Sequence, residues 1–327
     1  MDILLVIRGL AALSVVFWHT AGFQGDIPSV INMPGRTAVW LFFGISGYVI
    51  SYGFIHRRYS LTATGFKHFY INRFLRIYPL FIFLSFLSWL TIFLQTGNSP
   101  IDFKDIPEQL LAFQFEQDYV LNGVFWTLGI ELHFYLLAPL LVLPLLADRL
   151  KVAILYGVIL YSIVILWNVF AVVKLGWSID SRNVIANLQH FIIGMLGCRI
   201  VADKPDILPR KLLLLIAIVL LGITNWSYHN WSTGYWTLGV IAVDIVILFL
   251  IFLHASSEKV YSGKGYIYIA FSFIGTLAYG IYAIHGYLMK NFPTVFDAPI
   301  ILASSSLCFA YITYQLIERP ALKLKRH

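Results

Sequence analysis

Two side chains near the start of the chain have residue types and a spacing that suit joint chemistry. Arg8 and His19 are eleven positions apart. On an α-helix this spacing brings them to within about 20° of one face and ~16.5 Å apart along the axis. Glu131 occurs in a later apolar segment, at a depth predicted to match that of His19. Because a carboxylate beside an imidazole fixes its tautomer and raises its basicity, the sequence predicts a general base, His19, supported by Glu131.

A second pair of residues suits the binding of an anion. Arg73 and Arg76 are three positions apart and therefore share one helix face. Guanidinium groups match phosphate oxygens in geometry, so this pair predicts a site for a phosphate-bearing ligand. Plainer interpretations stay open, because Arg8 can snorkel from a helix end and the arginine pair can simply fix the topology. From spacing alone, catalysis and proton-coupled transport are equally open.

Four further ionisable residues fall within apolar segments, namely His133, His190, Asp244 and His285. Such groups commonly cost ~2.5–3.5 kcal/mol within a membrane and usually face a polar interior. His285 is predicted to lie at the level of His19. No second feature of the sequence supports His190 or Asp244, which we interpret as structural residues.

Long apolar helices are needed to hold these side chains. Of the 327 residues, 59% are hydrophobic and 12% are charged, with a mean hydropathy of +0.80. An ordinary soluble domain has roughly 25% charged residues, so a soluble globule is excluded, and the apolar content excludes a disordered chain. Since about 20 apolar residues span a bilayer, we predict an all-α, polytopic membrane bundle forming one domain, 1–327. The ten predicted spans are 3–23, 37–55, 74–95, 126–147, 152–173, 185–202, 211–229, 236–254, 266–289 and 299–318.

The basic residues orient this bundle. With a cytoplasmic N-terminus, seventeen of the 23 Lys and Arg residues fall in inner loops and five in outer loops, with Arg8 inside the first span. An even number of spans then puts both termini in the cytoplasm. The net charge of +7 is thus interpreted as topology and not as nucleic-acid binding. Cys198 and Cys308 both lie in apolar runs, which predicts neither a disulfide framework nor a cysteine metal site, and we expect no metal.

Six short motifs follow one another along the chain. They are Ile7-Arg8-Gly9-Leu10-Ala11-Ala12 followed by His19, Phe42-Phe43-Gly44-Ile45-Ser46-Gly47-Tyr48, Asn72-Arg73-Phe74-Leu75-Arg76-Ile77-Tyr78-Pro79, Trp126-Thr127-Leu128-Gly129-Ile130-Glu131-Leu132-His133-Phe134-Tyr135, Tyr279-Gly280-Ile281-Tyr282-Ala283-Ile284-His285 and Glu318-Arg319-Pro320. Each motif alone is weakly specific. Together, in this order and over nearly the whole chain, they resemble the signatures of the acyltransferase-3 family of integral-membrane acyltransferases.

The resemblance implies a ten-helix, multi-pass enzyme of the inner (cytoplasmic) membrane. It implies transfer of an acyl group, usually acetyl, from cytoplasmic acetyl-CoA to a hydroxyl of an extracytoplasmic glycan or lipid-linked glycan, with membrane lipid around the protein. His19 resembles the catalytic histidine, with Arg8 as its signature partner and Glu131 as its support. The residues assigned to the donor and its passage are Arg58, Arg73, Arg76 and Ser46.

Two further expectations complete the prediction. Some members of the family carry a periplasmic esterase-like domain, and we expect none in this chain, which ends soon after the tenth predicted span. The alternative function is a proton-coupled transporter or flippase of a glycan or small metabolite, which would use the same buried ions.

Overall fold

The computed structural model describes residues 3–20, 33–111, 119–176, 182–204, 208–231, 235–257 and 265–326. All regular elements within these ranges are helical, which confirms the predicted all-α bundle. The α-helices are α1 (Ile3–Trp18), α2 (Gly35–Ile55), α3 (Ala63–Thr96), α4 (Ile106–Leu111), α5 (Trp126–Val142), α6 (Leu150–Leu175), α7 (Val184–Asp203), α8 (Arg210–Asn230), α9 (Val240–Ser257), α10 (Tyr266–Thr276), α11 (Ala278–Asn291), α12 (Pro299–Thr313) and α13 (Arg319–Lys323). The 3₁₀ turns are Phe103–Asp105, Gly123–Phe125 and Leu143–Leu146, and the π-helical segments are Tyr235–Gly239 and Tyr314–Glu318.

The predicted spans all coincide with helices, although fewer than ten are long enough to cross a membrane. In the described part of the chain eight helices pass that test, and a ninth span results if α10 and α11 count as one. These two helices meet at Leu277 with a bend of 63°. Helix α1 has only 16 residues, and residues 21–23, predicted as the end of its span, lie outside the described residues.

Helix α3 is much longer than its apolar sequence predicts. The predicted span is 74–95, but the helix begins eleven residues earlier and has 34 residues. Thr62 caps this early start, because its hydroxyl accepts a hydrogen bond of 3.2 Å from the Gly65 amide. At 1.5 Å per residue the helix is ~51 Å long, about 20 Å more than a bilayer core of ~30 Å. Arg73 and Arg76 therefore lie inside a continuous helix and not at its entrance.

Two pairs of helices meet backbone to backbone at glycines. Between α2 and α7, a Cβ added to Gly194 would lie 1.9 Å from a carbonyl oxygen of α2, and one added to Gly47 would lie 2.2 Å from the carbonyl oxygen of Phe191. Between α1 and α10, a Cβ added to Gly275 would lie 1.8 Å from the carbonyl oxygen of Leu5. Small residues permit such close approach of helices in a membrane.

Buried aromatic rings join the helices that carry the predicted site. The ring of Phe191 on α7 lies 4.7 Å from that of Phe43 on α2 and 3.9 Å from that of Phe134 on α5, measured between centroids. All three side chains are buried. This cluster holds α2, which carries Ser46, beside α5, which carries Glu131.

Candidate active site

A cavity lies among α1, α2, α3, α5 and α11. Five of the seven residues predicted for the site line it. These are Arg8, Ser46, Arg73, Arg76 and Glu131. Aromatic residues form much of the remaining wall, among them Phe42, Phe43, Tyr135, Tyr279 and Tyr282. The fold thus brings cations, a carboxylate and a hydroxyl from four helices to one apolar space.

The carboxylate of Glu131 is oriented by two hydroxyl groups. Its Oε1 accepts a hydrogen bond of 2.7 Å from Ser46 Oγ and another from Tyr135 Oη. Both donors therefore bind the same carboxylate oxygen. Hydrogen bonds to a charged group contribute about 1.5–3 kcal/mol each, so this arrangement fixes the direction of the carboxylate.

The expected contact between Glu131 and His19 is absent among the described residues. Glu131 instead bonds to Ser46, which the sequence assigned to the passage of the donor. The sequence supplied the depth of each residue along its helix but not the rotation of the helix about its axis. That rotation turns Glu131 toward α2 and Arg73.

Arg73 lies at the centre of this group. Its guanidinium carbon is 5.7 Å from the ring centroid of Tyr135 and 5.8 Å from that of Phe69. The charge of Glu131 acts on it, and its Nε is buried without a hydrogen-bond partner in the described part of the chain. A buried donor of this kind is costly to leave unpaired, and an anionic ligand would satisfy it.

Arg76 is held by an acid from the other end of the chain. Its Nη1 lies 3.6 Å from Oε2 of Glu318, a buried residue at the end of the second π-helical segment, and its guanidinium lies 5.9 Å from the ring of Tyr279. The charge of Arg8 also acts on Glu318. No role in the site was predicted for Glu318, although its Glu-Arg-Pro motif was the available signal. π-Helical insertions occur frequently at functional sites.

His19 lies just beyond the last residue of α1, outside the cavity lining. Its Nδ1 is 2.8 Å from the carbonyl oxygen of Val15. Because a carbonyl only accepts, Nδ1 carries the proton of a neutral ring and Nε2 carries the lone pair. The His19 ring is 5.2 Å from the ring of the buried His285, which is 5.5 Å from the ring of Tyr282. Tyr282 also lines the cavity and so connects it with the two histidines.

The groups suited to hold a ligand are cationic. Within the described ranges, no group of three or more His, Cys, Asp or Glu side chains is placed to hold a metal ion. Arg8, Arg73 and Arg76 converge on the cavity, and guanidinium forks match phosphate oxygens. Arg58 is exposed and lies outside the lining, with its guanidinium carbon 5.9 Å from the ring of the buried Tyr59.

Sequence reasoning missed a second buried polar group. His190 Nδ1 on α7 lies 2.7 Å from Asp244 Oδ1 on α9, and Tyr161 on α6 donates a hydrogen bond of 2.8 Å to Asp244 Oδ2. His190 and Asp244 are buried, and the His190 ring stacks on Trp40 with centroids 4.9 Å apart. The pair ties three helices together. No spacing rule could reveal it, because the partners are 54 positions apart on different helices.

Comparisons with known proteins agree with the motifs. A family model described as an acyltransferase domain, that of the acyltransferase-3 family, matches residues 2–315. A protein of Acidianus two-tailed virus, named "Putative acetyltransferase ORF330", is 32% identical over 162 residues, which are 48% of this chain and 45% of that protein. "Protein 2 in picA locus" of Rhizobium radiobacter is 31% identical over 139 residues, or 41% of this chain and 70% of that protein.

The chain therefore spans less than half the length of the viral relative that it matches. No solved structure matches the chain. The family model, in contrast, extends over nearly all of the sequence, from the Arg8 motif to the last long helix. The chain belongs to the acyltransferase-3 family of acyltransferases.

Proposed function

We propose that this acyltransferase is an integral-membrane O-acetyltransferase. It moves an acetyl group from cytoplasmic acetyl-CoA to a hydroxyl of an extracytoplasmic or cell-surface glycan, such as an O-antigen, a capsule or an exopolysaccharide. One observation carries this proposal: three arginines and an oriented carboxylate line the same cavity. Tyr282, which also lines it, connects this cavity through the ring of His285 with His19. The name of the viral relative is consistent with an acetyl group.

The distribution of basic residues supports an orientation with both termini in the cytoplasm of a multi-pass inner-membrane protein. In this orientation Arg73 and Arg76 are at the cytoplasmic side of the cavity, and His19 is toward the outer side. CoA is polyanionic at its nucleotide end and cannot cross a bilayer. Its phosphates bind the arginines, while the slim pantetheine arm extends through the apolar part of the cavity past Ser46 toward Tyr282.

His19 acts through Nε2 in either of two routes. In direct transfer, Nε2 takes the proton of the acceptor hydroxyl as its oxygen attacks the thioester carbon, and the C–S bond breaks. The proton on His19 then neutralises the departing thiolate. In the covalent route, Nε2 itself attacks the thioester carbon, and CoA leaves as its thiolate. The acceptor hydroxyl afterwards takes the acetyl group from the imidazole, and the hydroxyl proton passes to the thiolate. Rapid chemical quenching of a reaction with radiolabelled acetyl-CoA distinguishes the routes, because only the second labels the protein.

The assay that tests the function measures transfer of radiolabelled acetyl from acetyl-CoA to surface glycan by the purified, reconstituted protein. His19→Ala is expected to abolish transfer while the protein still inserts and binds CoA. His133→Ala is the matched control, because His133 Nδ1 makes the same type of bond, 2.6 Å to the Gly129 carbonyl oxygen, away from the cavity lining. Full transfer by His19→Ala would overturn the role of His19.

Mass spectrometry of the surface polysaccharides of a deletion strain identifies the acceptor. Loss of acetyl groups from one glycan, restored by the wild-type gene and not by His19→Ala, is the expected result. Uptake of a glycan or small metabolite into vesicles, driven by a proton gradient and without any acetylated product, would instead support a transporter or flippase.

A further inference from the structure

The segment that follows α13 is fixed against α3 beside the arginines. Asn72, which is fully buried, bonds the backbone of Arg326 at two points: its Nδ2 donates to the Arg326 carbonyl oxygen over 2.7 Å, and its Oδ1 accepts from the Arg326 amide over 2.8 Å. Asn72 Nδ2 also donates to Tyr59 Oη over 3.2 Å. Since Asn72 directly precedes Arg73, these bonds hold residues 324–326 next to the cationic end of the cavity.

These bonds bring a fourth cation to that end. Lys325 is partly buried, and the charges of Arg73, Arg76 and Arg58 act on it. The four groups come from three parts of the chain: the turn before α3, α3 itself and the segment after α13. Two acids face these cations in the described part of the chain: Glu318 forms an ion pair with Arg76, and the charge of Glu131 acts on Arg73. Like charges held together in this way favour the binding of an anion that balances them.

We propose that Lys325 completes a phosphate site with Arg58, Arg73 and Arg76, and that this site takes the phosphate-rich nucleotide end of CoA. The inference rests on the proposed function, which makes CoA the donor carrier. A lone carboxylate would need only one guanidinium fork, whereas CoA carries a diphosphate and a separate phosphate monoester. A phosphate monoester alone has a charge of about −1.5 to −2 at neutral pH, which matches a cluster of several cations.

The lysine makes the site sensitive to pH. Burial, and then the positive charges of Arg73, Arg76 and Arg58, lower the pKa of Lys325 to about 8. The ammonium is charged below this pKa and becomes neutral above it, so its attraction for phosphate is present at neutral pH and is lost as the pH rises through about 8. The guanidinium groups of the three arginines stay charged throughout this range.

Calorimetric titration of the full-length protein with CoA, in nanodiscs of neutral lipid, tests the proposal. We expect Lys325→Ala to weaken CoA binding about tenfold at neutral pH, the loss typical of one charged hydrogen bond. At about pH 7, Lys325→Arg is expected to bind CoA with the wild-type affinity. At about pH 9.5 the affinity of the wild type falls to that of Lys325→Ala, whereas Lys325→Arg keeps its affinity, because a guanidinium stays charged. Lys323→Ala, at an exposed lysine two positions away, is the matched control and leaves the affinity unchanged.

Two further arms separate the possible outcomes. Nanodiscs with anionic phospholipid identify a lipid headgroup as the occupant if that lipid displaces CoA from the wild type, which would overturn the assignment to CoA. Wild-type affinity and an unchanged pH profile in Lys325→Ala would overturn the role of Lys325 and leave the proposed function standing. If neither the wild type nor any variant binds CoA, both proposals are overturned.

Discussion

Ser46 on α2 donates a hydrogen bond of 2.7 Å to Oε1 of Glu131 on α5. The bond crosses between two walls of the cavity, and Tyr135 donates to the same carboxylate oxygen. Hydrogen bonds to an ionised group are shorter and roughly twice as strong as neutral ones. The direction of the Glu131 carboxylate in the cavity lining therefore depends on a hydroxyl of the neighbouring helix.

Replacing this hydroxyl should slow the proposed acetyl transfer without unfolding the protein. Ser46→Ala removes a charged hydrogen bond of ~1.5–3 kcal/mol, so we expect kcat/KM to fall by about tenfold or more. Ser51→Ala is the matched control: it changes the same residue type on the same helix, and the buried Ser51 hydroxyl has no partner among the described residues. Equal rates for the two variants would mean that Ser46 does not position Glu131 for the reaction.

The buried pair of His190 and Asp244 should contribute to stability more than to catalysis. Asp244→Ala leaves a buried partner uncompensated, which typically costs ~3–5 kcal/mol. Thermal unfolding in detergent measures this loss. Asp203→Ala breaks a more exposed pair, in which Asp203 Oδ1 is 2.6 Å from Arg199 Nη1, and is expected to cost less than ~1 kcal/mol.

A double-mutant cycle isolates the contribution of the buried pair. If His190 and Asp244 stabilise the bundle through each other, the losses in unfolding free energy are not additive. The loss in the double variant His190→Ala with Asp244→Ala is then smaller than the sum of the two single losses by at least ~1 kcal/mol. Strict additivity would show that the two side chains act independently.

A methyl group at the contact of α2 with α7 should separate these helices. The Cβ of Gly194→Ala would lie 1.9 Å from the carbonyl oxygen of Gly44, far inside van der Waals contact. We expect a large drop in the yield of folded protein and in its melting temperature. Gly222→Ala on α8 is the control, because a Cβ there meets nothing within 4 Å and alanine is favoured over glycine in a helix by about 1 kcal/mol. Equal stability of the two variants would contradict the observed contact.

Apolar length and helical spacing predicted the helices and much of the cavity lining. A run of about 20 apolar residues has few alternatives to a helix in lipid, since the backbone must satisfy its own hydrogen bonds there. The three-residue spacing of Arg73 and Arg76 likewise places both side chains on one face, and both line the cavity. Hydropathy missed the early start of α3 because it detects lipid-facing sequence, and the first turns of this helix are polar.

The pairing between helices could not be predicted in the same way. A single sequence gives no information on which helices are neighbours or how each is rotated. For this reason the sequence predicts a contact of Glu131 with His19 and not with Ser46, and it predicts no link between His190 and Asp244. The bend at Leu277 was missed for a related reason, since no proline stands at that position.

The glycine contacts limit how the cavity can change shape. At Gly194 and Gly275 the partner backbones are so close that neither helix of a pair can slide along the other without a clash. Helices α1 and α2 are both cavity walls, so each wall is locked to a second helix and behaves as part of a rigid block. Any movement of α1 or α2 that changes the width of the cavity therefore carries α10 or α7 with it.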